Sequence, residues 1–143
     1  MATGPLVMAV GVPEMVSPEI VKPGMVVAID AKNAGKLKLA RGVYNRQVAG
    51  VISGANDLSA GMTLPDLKNS ADGIPVALSG RVWVYCDATK HSIAPGDLLT
   101  TAVTPGHAMK ATNHVRAQGA ILGKAMTSLK TGRGLVLVLV TLQ

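Results

Sequence analysis

Cys86, Asp87 and His91 come nearest to a reactive group, with a thiol, a carboxylate and an imidazole in one short stretch. A cysteine nucleophile needs an adjacent base and a group that orients that base. Along Pro75 to Cys86, however, Val82, Val84 and Cys86 alternate onto one strand face and Arg81, Trp83 and Tyr85 onto the other. A cysteine on the apolar side of a strand acts as a small core filler. The stretch therefore predicts an inert thiol.

Other chemistry-bearing residues are scattered. His91, His107 and His114 fall in or near turns, and none has the spacing that makes a metal site within one chain, although a trimer could gather three copies of His107 on its axis. Asp30 and Asp87 follow strands and Asp97 belongs to a Pro-Gly-Asp turn, positions where a carboxylate usually bonds nearby backbone. Gly50-x-x-x-Gly54 and Gly119-x-x-x-Gly123 lack the Lys-Ser/Thr ending of a phosphate loop, and Gly132-Arg133-Gly134 is too short to define one. Catalytic residues, metal ligands and cofactors are all expected to be absent. The function expected is non-enzymatic.

Composition points the same way. Of 143 residues 48% are hydrophobic, yet there is no Phe, one Trp and two Tyr, so the core is built from many small contacts by Val, Leu, Ala and seven Met. One cysteine permits no intrachain disulfide and no cysteine metal cage. The formal charge is +6. Lys32, Lys36, Lys38, Arg41 and Arg46 form the one basic concentration, which could bind anions but lacks the interleaved aromatics that single-stranded nucleic acid favours. The N-terminal apolar stretch has no basic leader and is broken by Gly11 and Pro13, which argues against a cleavable signal. Leu135 to Leu142 is too short to cross a bilayer as a helix.

The elements that would hold these residues are strands. Leu6 to Val12, Met25 to Asp30, Lys36 to Ala40, Gln47 to Ser53, Pro75 to Cys86, Asp97 to Ala102, Ala108 to Thr112, Gln118 to Ala125 and Leu135 to Leu142 all read as strands, separated by Pro- and Gly-bearing turns such as Ser17-Pro18. Gly80 suggests a bend, and Leu58 to Leu67 a covering loop or one helical turn. The pattern repeats. Pro23-Gly24-Met25-Val26-Val27, Gly35 and Gly50-Val51-Ile52-Ser53-Gly54 are echoed by Pro95-Gly96-Asp97-Leu98-Leu99, Gly106 and Gly119-Ala120-Ile121-Leu122-Gly123. The expected fold is one all-β domain, an internally duplicated compact β-barrel or β-clip without long helices. Its pseudo-repeats cover about 20–54 and 92–125, joined by a long strand at 75–86 and closed by a strand at 135–142.

Val48-Ala49-Gly50-Val51-Ile52-Ser53-Gly54, Pro75 to Val82, Pro95 to Thr101 and Gly119 to Ala125 occur in this order within Val21 to Gln143. That segment resembles the C-terminal β domains of phage tail appendages and fibre-like bacterial surface proteins, and its doubled Pro-Gly turn resembles phage capsid decoration and head-fibre modules. The resemblance implies a trimerising module that registers or caps a fibre, virion-associated or extracellular. Its partners would be copies of itself and other particle or fibre proteins, without membrane or nucleic acid. Some relatives are intramolecular chaperones that cleave themselves. Here only Asn69-Ser70 offers a vestigial cleavage site, and beginning at Met1 leaves almost no fibre to release.

Leu135 to Leu142 has no polar face, so both sides are expected to be covered, by the barrel core inside and by another element or another subunit outside. Trp83, Tyr85, Leu135, Leu137 and Leu139 are accordingly the expected oligomer interface.

Overall fold

The computed structural model describes residues 6–11, 21–57 and 73–143. The expected Ser17-Pro18 turn, the segment Leu58 to Leu67 and the Asn69-Ser70 dipeptide lie outside them. Nine strands lie among the described residues: β1 (Leu6–Gly11), β2 (Val26–Ile29), β3 (Leu37–Leu39), β4 (Val48–Ile52), β5 (Gly73–Asp87), β6 (Leu98–Thr101), β7 (Ala108–Lys110), β8 (Gly123–Ala125) and β9 (Arg133–Thr141). Helix is confined, among the described residues, to a 3₁₀ turn at Ala55–Asp57 and to α1 (His114–Ala117). The protein is nearly all-β, a small closed barrel with extra strands.

Barrel closure follows from strand pairing. β5, β9, β8, β6 and β7 are neighbours in that order, and a parallel bridge from Cys86 to Ala108 joins β7 back to β5. Val82, Val84, Val136, Val138 and Val140 point inward with Leu99 and Leu122, all essentially inaccessible to solvent. Each buried Val contributes about 1.5–3 kcal/mol relative to exposure. This is how a core without Phe is filled.

The duplication extends to individual backbone bonds. β2 pairs with β3 on one side and β4 on the other, as β6 does with β7 and β8, and Val27↔Leu39 with Val27↔Gly50 matches Leu99↔Lys110 with Leu99↔Gly123. Gly24 N donates to Ile52 O at 2.8 Å and Gly96 N to Ala125 O at 2.8 Å; Ala40 N donates to Val26 O at 2.9 Å and Ala111 N to Leu98 O at 2.8 Å. Gly24 and Gly96 both open their repeats in the left-handed region, with φ of 95° and 94°. β4 then pairs with the first part of β5 as β8 pairs with β9.

Two expectations need correction. Gly50 corresponds spatially to Gly123, whereas the Gly-x-Ile-x-Gly similarity pairs it with Gly119. The reason is a local insertion before β8. Asn113 Oδ1 accepts Arg116 N at 3.1 Å and caps α1, and Gly119, with φ of 80°, turns the chain after it. For the same reason Gln118 to Ala125 is not one strand; only Gly123–Ala125 is.

β5 serves both repeats. It bends at Gly80, where φ is 89°, and there changes neighbours. Residues 73–79 pair with β1 and residues 79–87 with β9. The first repeat is docked onto the barrel by Tyr85 N to Gly24 O at 2.8 Å, Val26 N to Gly106 O at 2.8 Å and Gly106 N to Ala40 O at 2.9 Å. It also has a core of its own, Val27, Leu37, Leu39, Ile52 and Val76.

Candidate functional site

The long β5–β9 ladder runs antiparallel from Ser79↔Thr141 to Asp87↔Arg133. Period-2 alternation gives it a barrel-facing Val side and an outward side. On the outward side Arg81 lies opposite Leu139, Trp83 opposite Leu137 and Tyr85 opposite Leu135, so all five expected interface residues share one surface. Directly opposed side chains of this kind are within packing reach of each other.

That surface has two ends. At one, Leu139 is 40% exposed, Trp83 and Leu137 are half-buried, and the residue after β8 extends the face: Met126, 41% exposed, whose N–H donates to Leu137 O at 2.7 Å. Arg81 and Lys124, both exposed and both opposite Leu139, give the apolar strip a charged border. Within the chain the outward side of Leu135 to Leu142 is covered only in part: Leu135 lies against the Pro23-Gly24 turn, whereas Leu139 is open.

The other end is occupied by the chain itself. A Cβ added to Gly24 would fall 3.0 Å from Tyr85 Cδ2 and 3.2 Å from Leu135 Cδ2. The Tyr85 ring also lies 5.5 Å from the His107 ring and under the Lys22 ammonium at 4.8 Å. Tyr85 and Leu135 thus hold the Pro23-Gly24 turn, and the open part of the face is Trp83, Leu137, Leu139 and Met126. Met126 escapes a sequence reading because its membership depends on β8 choosing β9 as neighbour.

The basic cluster is spread over a turn and a sheet edge. Lys32 and Lys36 flank the β2–β3 turn, Lys38 is on β3, and Arg41 and Arg46 follow it; all but Lys38 are exposed. Within the cluster, Asp30 accepts Asn33 Nδ2 at 2.8 Å and Lys32 N at 2.9 Å, and these bonds hold its carboxyl below the usual range. Among the described residues β3 ends the strand path. Lysines there guard an edge against further pairing.

Cys86, Asp87 and His91 are not assembled for catalysis. Cys86 is fully buried and His91 exposed; burial and the neighbouring Asp87 charge push the thiol pKa up, keeping it protonated at neutral pH. Asp87 Oδ1 accepts Thr89 Oγ1 at 2.6 Å and Thr89 N at 3.0 Å, while Oδ2 accepts Thr104 Oγ1 at 2.8 Å and lies 3.7 Å from Arg133 Nε. His107 Nδ1 lies 3.0 Å from Pro105 O. Asp97 Oδ2 accepts Ala94 N at 2.9 Å and lies 3.7 Å from Lys110 Nζ. Among the described residues, no three His, Cys, Asp or Glu side chains are grouped as a metal would require.

No protein-family model and no curated protein matches this chain.

Proposed function

We propose that this protein is a non-enzymatic assembly module that forms a homo-oligomer, a trimer, through the outer face of the β5–β9 ladder, as a component of a phage-like or extracellular fibre or particle. The observation that supports this reading is the apolar strip of Trp83, Leu137, Leu139 and Met126 on a rigid ladder. The strip has the anatomy of an interface, with an aromatic anchor, aliphatic neighbours and the charged border of Arg81 and Lys124. The chain's single Trp lies there rather than in the barrel interior.

Sedimentation velocity on the full chain tests this proposal. The wild type should sediment as a trimer. Leu139→Asp, which alters an exposed side chain, should yield folded monomer, and Leu137→Asp with Leu139→Asp should do so more completely. A wild-type monomer at high concentration, or an unchanged oligomer in Leu139→Asp, overturns the reading.

A further inference from the structure

A pocket of about 230 Å³ opens where the end of β5, the β6–β7 hairpin, the 43–44 turn and α1 meet. We propose that it binds a small organic oxyanion, a phosphate or carboxylate carried on a compact apolar body.

The lining divides into two chemistries. Val43, Ala102, Val103 and Met109 supply an apolar wall, and Val103 is 65% exposed there. Lys90 and Arg116 supply the cations, and the His91 imidazole lies beside them. The one acid in the lining, Asp87, has both oxygens occupied by Thr89 and Thr104 hydrogen bonds and its charge opposed by Arg133. Lys90 and Arg116 have no carboxylate within ion-pair distance among the described residues. Net positive charge therefore faces the space. Paired cations recognise phosphate and carboxylate through charge-assisted hydrogen bonds.

The wall is held in place rather than left to fluctuate. Tyr44 lies in the left-handed region with φ of 52°, a conformation that costs a residue with a side chain some strain. Its hydroxyl accepts the amides of Thr112 and Asn113, both at 2.9 Å, and its ring carries the Arg116 guanidinium at 4.7 Å. The turn before it is tied to the barrel by Thr101, whose hydroxyl donates to Gly42 O at 2.7 Å and accepts Asn45 N at 2.8 Å. Arg116 is thus positioned before any ligand arrives, which lowers the ordering cost of binding. The volume is below the roughly 300–1,000 Å³ of drug-sized sites, which limits the ligand to one small ring or a short chain.

Amide NMR spectra of the full chain, titrated with phenyl phosphate, benzoate and phenol, test the proposal and separate the two anion types. At least one anion should give saturable shifts at Tyr44, Thr89, Lys90 and Met109, with phenol giving none. Arg116→Gln should weaken that binding about tenfold, the loss expected for one charge-assisted hydrogen bond. Because Arg116 also packs on Tyr44, Lys90→Gln provides the second variant and should weaken binding by a similar factor. Lys32→Gln with Lys36→Gln should leave it unchanged. Failure of both anions to saturate, shifts with phenol alone, undiminished binding in both pocket variants, or an equal loss in the Lys32/Lys36 variant overturns the proposal.

Discussion

Gly50 and Gly123 occupy the same place in the two repeats, opposite Val27 and Leu99 respectively, and each lies against the backbone of the next strand. A Cβ on Gly50 would fall 2.5 Å from Ala77 O, and one on Gly123 would collide with Leu139 O. A paired carbonyl within a sheet cannot step aside as a side chain can. Ala at either position should destabilise by about 3 kcal/mol, the upper range for overpacking. Gly132→Ala, with no atom within 4 Å of the new Cβ and a φ of 73°, should cost only about 1 kcal/mol from backbone conformation. Urea unfolding of the three variants measures the difference. Equal costs would show that close approach does not select glycine at 50 and 123.

The Tyr44 hydroxyl is the acceptor for two amides preceding α1. Tyr44→Phe should cost about 1–2 kcal/mol and leave those amides to water. Hydrogen exchange at Thr112 and Asn113 should accelerate while exchange in β5 and β9 stays slow. Unchanged exchange at both amides would remove the hydroxyl from the account of this turn.

Cys86 should be inaccessible to thiol reagents in the folded protein and react at once in urea. Its burial and raised pKa act in the same direction, since only the thiolate attacks. A native-state rate equal to that of a free thiol contradicts this placement. Cys86→Ser, which puts an unpaired hydroxyl into the barrel, should cost about 1–3 kcal/mol.

Acidification should destabilise the fold through Asp87. Partial burial pushes its carboxyl up, but hydrogen bonds from Thr89 and Thr104 and the Arg133 charge outweigh burial and hold it below the ordinary value of 3.8. The unfolded chain therefore takes up the proton first. The stabilisation is fully present above the ordinary value and is lost as pH falls through it toward the lower folded one. The urea midpoint should drop as pH falls from about 5 to about 3, and Asp87→Asn should flatten that slope. An equal slope in the variant would assign the acid sensitivity elsewhere, Asp30 being the next carboxyl with a lowered value.

Much of this fold is legible in the residues themselves. The alternation through Val82, Val84 and Cys86 identifies a barrel wall, and Pro-Gly at 23–24 and 95–96 marks equivalent turns because both glycines need positive φ. What could not be read depends on which strand neighbours which. Gly119 imitates Gly50 in its local pattern, but α1 and its turn displace the true counterpart by four residues, to Gly123. The outward face of β5 and β9 follows from alternation, whereas the folding of Gly24 onto Tyr85 and Leu135 depends on how the first repeat docks. The pocket is harder still to foresee. Tyr44, Lys90 and Arg116 belong to three separated segments without a shared motif, brought together by barrel closure and the Thr101 tie.

β5 bends at Gly80 and contributes its two parts to different repeats. A duplication with one strand held in common has no boundary along which its halves can separate, because withdrawing either one strips the other of a neighbour. Melting is therefore expected to be a single cooperative event. Half-folded chains with bare strand edges, the species most prone to indiscriminate pairing, should then be scarce.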